Sequence, residues 1–317
     1  MEKYCKQQLA PKTLDSYKHH LEKRIIPAIG HIDIKKLKPI DIISFINALT
    51  EKRSRFDGKN KALSDQSILY CYRVLSSMLQ TAVHWQILYN NPCARVKPPK
   101  ASRSKNAAFT MEQTQLLLTN LKNEKIKYQA IIMLALATGL RLGKLIGLQW
   151  PDIDFDNCCL HVLRSNQTTT DGKIISKNPK NETSVLKVTI PSLALDILRE
   201  YRENQSRKAQ LLLNKWHKSN WVFTTWDGKP MYPSTPSQWF QKFFKKYDLP
   251  KIPFHSRRHT SATLLIAQNM PLKNISSRLG HADIRTTGNI YAHALDSIDR
   301  KVAETMNDIL TGKVDEN

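Results

Sequence analysis

The segment KYQAIIMLALATGLRLGKL, Lys127 to Leu145, sets the architecture. From Lys127 to Ala137 it is nearly all apolar, so it predicts a helix buried on every side rather than a surface helix with one wet face. Its apolar run, Ala130 to Leu140, is about half the length a bilayer span needs, which places it in a protein core and argues against a membrane protein. Gly139 is a natural helix terminator, and Arg141 stands just beyond it. A lone arginine there is ordinarily solvated or caps carbonyls.

Working outward, Thr110-Met-Glu-Gln113 has the form of a capping box and opens a helix that runs to about Leu121. Strands are expected only at Leu160–Arg164, Lys173–Ser176 and Val185–Ile190. In the last of these, Val185, Lys187 and Thr189 face one way and Leu186, Val188 and Ile190 the other. From Ser192 onward the chain reads as helix with polar loops. Toward the N-terminus, Thr13–Leu21, Lys38–Leu49 and Ser64–Trp85 place apolar residues at helical spacing, for example Ile40, Ile43, Phe45, Ile46 and Leu49. Ser64 is the expected N-cap of the third helix, and Asn90, Asn91 and Pro92 close the short stretch after it. Between these regions VKPPKASRSKN, from Val96, lacks periodicity and is rich in Pro, Lys and Arg, as an exposed linker would be. The expected organisation is a helical domain at 1–96, a basic linker at 97–107 and a second domain at 108–317. The fold class is mainly α, with a small β-sheet in the second domain.

The 317 residues carry 49 Lys and Arg against 27 Asp and Glu, a net charge of +22, and the pI is about 9.8. Such a surplus repels itself in the folded state unless a polyanion is the working partner, so nucleic acid is the first candidate. A basic surface kept for solubility, or for anionic membranes, is the plainer alternative. Lys242, Lys245 and Lys246, interleaved with Phe243, Phe244 and Tyr247, suit a phosphate backbone with helix packing behind it, or equally a solvated charged face. Two domains on a basic linker could close around a duplex. Cys5, Cys71, Cys93, Cys158 and Cys159 form no C-x-x-C pair, so neither disulfides nor zinc are expected. The start MEKYCKQQLAPK has no apolar signal region, which points to the cytosol.

Four short segments gather the polar groups that phosphate chemistry uses. They are TGLRLGKL around Arg141, KNPKNETS around Lys180, HSRRHTSAT from His255, and LGHADIRTTGNIYAH from Leu279 to His293. His255 and Arg258 are spaced to share one helix face. Each segment alone is weak. Together, and in this order, they resemble the tyrosine recombinase, or phage integrase, family. Its signature is an arginine in TGxR, a lysine in a β-hairpin, H-x-x-R, LGH, and a tyrosine about ten residues later. The matches are Arg141 in Thr138-Gly-Leu-Arg, Lys180 after Pro179, His255-Ser-Arg-Arg258, Leu279-Gly-His281, and Tyr291, ten residues beyond His281. LAPKTLDSYKHHLEKRIIPAIGHIDIKKLKPIDI and LSSMLQTAVHWQILYNNPCARVKPPK resemble the helical core-DNA-binding domain of phage and conjugative-transposon integrases. The resemblance therefore spans essentially the whole chain, and it implies a SAM-like core-DNA-binding domain followed by a tyrosine recombinase catalytic domain.

The chain departs from the pattern in four places. Lys144 stands where the family commonly has an acidic residue, with the expected loss of an ion pair orienting Arg141. Arg257 replaces an apolar residue, either adding charge near the site or displacing a packing group. The hairpin has Asn181 after Lys180, and Lys177 and Lys187 are rival assignments for its lysine. The small arm-DNA-binding domain common in such integrases would precede the first residue, so the chain is expected to lack it.

The resemblance implies a site-specific recombinase that cuts and rejoins double-stranded DNA through a covalent 3′-phosphotyrosyl link at Tyr291. An ester of this kind retains the bond energy, so no ATP is needed, in keeping with the lack of a G-x-x-x-x-G-K-[ST] loop. Arg141 and Arg258 would hold the non-bridging oxygens. A phenol has a pKa of about 10 and needs a proton acceptor, while the departing 5′-oxygen needs a donor. The resemblance gives these roles to His255 and Lys180, and makes His281 a hydrogen-bond donor to the phosphate. His259 and His293 are expected to pack and support. No carboxylates have metal-binding spacing, so neither metal nor other cofactor is expected. The tail LDSIDRKVAETMNDIL packs onto its own domain or, as the resemblance suggests, onto a neighbouring protomer of a DNA-bound homotetramer. Attachment-site DNA, accessory DNA-bending or directionality factors, and a cytoplasmic, nucleoid-associated location complete the expectation. The alternatives are a chromosome-dimer-resolving recombinase, a non-catalytic DNA-binding regulator and a type IB topoisomerase.

Overall fold

The computed structural model describes residues 8–51, 62–101, 108–169, 172–177, 185–250, 252–254, 256–280, 283–285, 287–288, 306–307 and 310–311. The chain divides into two compact units, Met1–Lys105 and Asn106–Asn317, each with its own apolar core.

The first unit is helical. Helix α1 (Pro11–His20) runs on through a π-helical turn, Leu21–Ile25, into a last turn, Ile26–Ile29. Helix α2 spans Pro39–Leu49 and α3 spans Asp65–His84. Both α1 and α2 begin on proline, whose missing N–H is no loss in a first turn. The Ser64 hydroxyl accepts from the Ser67 amide at 3.3 Å, the N-cap expected from the sequence. In α2 the buried stripe is Ile42, Phe45 and Leu49, while Ile40 and Ile43 stay exposed. Ile40 and Ile43 are among the apolar residues at helical spacing in this segment. With so many apolar residues in one short helix two stripes overlap, and spacing alone does not choose between them. The Tyr72 hydroxyl, from α3, lies within hydrogen-bond reach of the carbonyls of Cys93 and Val96, at 2.9 and 3.1 Å, which ties the unit's last turn to its core.

In the second unit α4 (Met111–Leu121) opens on the expected capping box. Thr110 Oγ1 accepts from the Gln113 amide at 3.2 Å, and Gln113 Oε1 accepts from the Thr110 amide at 3.1 Å. Helix α5 (Ile126–Thr138) is the buried helix. It packs against α7 (Ser192–Leu212) and α9 (Ser256–Ala267). Further helices of this unit are the short α6 (Leu142–Ile146), α8 (Ser234–Lys246) and α10 (Leu272–Leu279).

Among the described residues two small antiparallel sheets lie between α6 and α7 in sequence. One has the order β1-β2-β5, formed by Ile153–Asp154, Cys159–Val162 and Leu186–Thr189, with Leu160 opposite both Ile153 and Val188. The other pairs β3 (Ser165–Thr168) with β4 (Ile174–Lys177). The expectation of only three strands is corrected: β1 and β3 are additional. Two residues are too few for β1 to show a period, and β3, Ser-Asn-Gln-Thr, has no apolar alternation to detect. In β5, Val188 and the following Ile190 are buried while Lys187 and Thr189 are exposed, as the alternation predicts. Cys71, Cys93, Cys158 and Cys159 are free thiols. Among the described residues no helix is long and apolar enough to cross a membrane.

Candidate active site

Gly139 holds the site's elements together. It ends α5 in the left-handed region, φ +63°, its amide donating to the Ala135 carbonyl. A Cβ there would sit on a left-handed backbone and come within 2.3 Å of Leu279 Cδ2, so any other residue would be strained and would displace the Leu279 side chain of α10. From α9, Arg258 Nη1 donates to the Gly139 carbonyl at 2.9 Å. Gly139, Arg258 and Leu279, one residue from each of three motifs far apart in the chain, therefore meet around one peptide unit. Arg141 follows as the N-cap residue of α6 and is exposed, whereas Arg258 is buried.

Two supports were not visible in the sequence. Arg278 Nη2 donates to the carbonyls of Ala137 (2.6 Å) and Thr189 (2.9 Å), clamping α10 to the end of α5 and to β5. Burial lowers the pKa of this guanidinium. Thr260, in α9, accepts from the Phe109 amide at 3.0 Å and lies 3.0 Å from the Ser256 carbonyl. The partners of these residues are mostly backbone groups, which leave no pattern in a sequence. Gly280 ends α10 at φ +66°, and its Cβ position faces the Leu186 side chain of β5 at 3.0 Å.

The departures from the family pattern have definite places. Lys144 lies in α6, half-buried. Desolvation first, then the guanidiniums of Arg141 and Arg258, pull its pKa below that of an ordinary lysine. Arg257 is 1% exposed, its guanidinium carbon 3.7 Å from the Phe240 ring centre and 3.1 Å from that of Phe254. Among the described residues none of its three side-chain nitrogens has a hydrogen-bond partner, and burial holds its pKa well below the usual value. Of the two readings for Arg257, the structure favours displacement of a packing group.

Of the hairpin lysines, Lys177 ends β4 opposite Ser165 and is half-buried, while Lys187 in β5 is exposed opposite His161. Lys180, His255, His281, Tyr291 and His293 lie outside the described residues. The structure thus brings Arg141 and Arg258 together and leaves the other four candidates to the sequence. His259 is buried in α9. In α8, Phe243 and Phe244 are core and Lys242 and Lys245 exposed, but Lys246 is committed to Glu124 at 2.7 Å.

A sequence model described as the phage integrase family matches residues 107–297, more than half of the chain. The chain belongs to the phage integrase family. A second model, the N-terminal SAM-like domain of phage integrases, matches residues 2–50. This family member is 31% identical to a "Tyrosine recombinase XerC-like" protein of Caldanaerobacter subterraneus subsp. tengcongensis, across 94% of this chain and 78% of that protein. It is 28% identical to the ICEBs1 integrase of Bacillus subtilis, across 96% of this chain and 80% of the relative. Among solved structures, the Tn1549 transposon integrase in complex with a circular intermediate DNA matches with a TM-score of 0.78 at 22% identity, covering 96% of this chain and 97% of that one. That likeness establishes the shared fold. The integrase-family chain is a tyrosine recombinase, an enzyme of site-specific recombination.

Proposed function

We propose that this recombinase integrates and excises a phage or conjugative element, with Tyr291 as nucleophile. The observation that carries the reading is the junction at Gly139, where Arg258 bonds to the loop that presents Arg141. Arg258 is thereby held two residues from Arg141, and the two guanidiniums would together grip the two non-bridging oxygens of a phosphodiester.

In the proposed step the Tyr291 phenolic oxygen attacks the scissile phosphorus while His255 takes the phenol's proton. A tyrosine–phosphorus bond forms, the bond from phosphorus to the 5′-oxygen breaks, and Lys180 supplies the proton that leaves with the 5′-hydroxyl. The 3′-phosphotyrosyl link is released when a 5′-hydroxyl from another strand attacks it, reversing both proton transfers. His281 donates a hydrogen bond to the same phosphate. Exchanging two duplexes requires four strand cleavages, and one tyrosine per chain gives a homotetramer on DNA. Residues 1–96 act as the core-DNA-binding domain, 97–107 as the linker and 108–317 as the catalytic domain. The enzyme works in the cytoplasm at the nucleoid, with accessory DNA-bending or directionality factors choosing between integration and excision.

The test is to express the enzyme with a plasmid library of the host chromosome, quench with detergent, and sequence the DNA that stays bound to protein. One recurrent sequence, with recombinants joined at the same position, is the expected result. Adducts scattered without a common sequence would instead indicate a topoisomerase. Site-specific binding with neither adducts nor recombinants would indicate a regulator.

A further inference from the structure

We infer that Lys144 is a phosphate-binding residue of this enzyme, a third cation beside Arg141 and Arg258 that meets the oxygens of the scissile phosphodiester. The inference rests on the proposed catalytic site and changes one of its expectations: the family's usual acid here would steady Arg141, whereas this chain has replaced that support with charge of the opposite sign.

The packing of α6 fixes where Lys144 stands. A Cβ on Gly143 would meet Ser165 Oγ at 2.7 Å and the Asn166 carbonyl at 2.8 Å, so that side of the helix is pressed against β3. Asn166 Nδ2 also donates to the Ile146 carbonyl at 3.3 Å, and Leu145 and Ile146 are buried. The rotation of α6 is thereby set, and Lys144 stands in the first turn after Arg141, the extended residue that caps the helix, near enough to feel its charge. Arg258 reaches the same place through its bond to Gly139, two residues before Arg141.

Among the described residues no carboxylate pairs with Lys144. Asp152, the acid nearest to it in sequence, is taken by Arg164 Nη1 at 2.6 Å and by the Gln149 amide at 2.8 Å. Cations gathered in this way focus potential on the space they share, and a phosphodiester anion relieves their repulsion. The lowered pKa of Lys144 is the cost of burial and of that repulsion in the absence of DNA. Ordinary structural lysines avoid such a position. Here it adjoins the arginines that hold the reacting group.

The experiment compares wild type with Lys144→Arg, Lys144→Gln and Lys144→Glu. Each is tested on a duplex carrying the cleavage position mapped by adduct sequencing, after melting curves confirm folding. The readout is the initial rate of covalent adduct formation. Loss of one cation aimed at developing charge predicts about a tenfold loss for Lys144→Gln, more for Lys144→Glu, and near wild-type rates for Lys144→Arg. A second substrate carries a methylphosphonate at that position, in which a methyl group replaces one non-bridging oxygen and the linkage is neutral. On it the deficit of Lys144→Gln should shrink to within about twofold, a change that a merely structural role would not produce. Lys144→Glu as fast as wild type, or a deficit unaltered by methylphosphonate, would overturn the inference while leaving the proposed function intact. Absence of adduct in the wild type itself would remove both.

Discussion

Arg257 and Arg258 are chain neighbours in opposite surroundings. Arg258 bonds to the Gly139 carbonyl, whereas Arg257 is sealed between two phenylalanine rings, with no hydrogen-bond acceptor among the described residues. Attraction to the ring faces offsets part of the desolvation of a guanidinium, but a cation buried without a counter-ion remains costly. Replacing Arg257 with leucine, which fits the apolar surroundings, should stabilise the protein by about 1–4 kcal/mol. Thermal unfolding would show a higher Tm, and a lower one would mean that Arg257 has a partner it needs. The two site arginines should behave differently from each other. In the proposed reaction Arg141→Ala and Arg258→Ala would each remove a cation from the transferring phosphate, and each should slow adduct formation roughly a hundredfold. Only Arg258→Ala also breaks a buried hydrogen bond, so only it should lower the Tm. Equal melting losses in both would contradict the division of roles.

Among the elements, the contact of α5 with α10 leaves little room beside Gly139. Gly139→Ala puts a side chain into a left-handed backbone conformation and against Leu279 Cδ2. The backbone strain alone is worth about 1–3 kcal/mol. The variant should melt lower and lose cleavage activity, because the same peptide unit receives Arg258. A variant with unchanged stability and activity would show that the close packing is dispensable. This scale also shows what the sequence could convey. Helices α3 and α4 were legible because their caps are side-chain signals, Ser64 and the Thr110–Gln113 box. The buried α5 was legible from its uniform apolarity. Strand β3 was not, since its place comes from pairing with β4 and packing under α6 rather than from its own residues. The site divides the same way. Arg141 and Arg258 stand in short local motifs, whereas Arg278 acts on carbonyls contributed by α5 and β5, and local spacing cannot register contacts of that kind.

For the molecule as a whole, the surplus of 22 positive charges predicts DNA binding governed by counterion release. Between 50 and 200 mM salt the affinity should fall roughly a thousandfold or more, as for a protein with several phosphate contacts, and anisotropy titrations would measure it. A shallow dependence would contradict a phosphate-dominated interface. In the proposed chemistry the enzyme links itself to DNA through Tyr291 and needs no metal. The most direct measurement is incubation with the mapped site in EDTA, detergent quench, and peptide mapping of the DNA-linked residue, with Tyr291→Phe in parallel. A DNA-linked peptide containing Tyr291, absent from the variant, is the predicted result. An adduct on another residue, persistence of the adduct in Tyr291→Phe, or cleavage only when divalent metal is restored would contradict it.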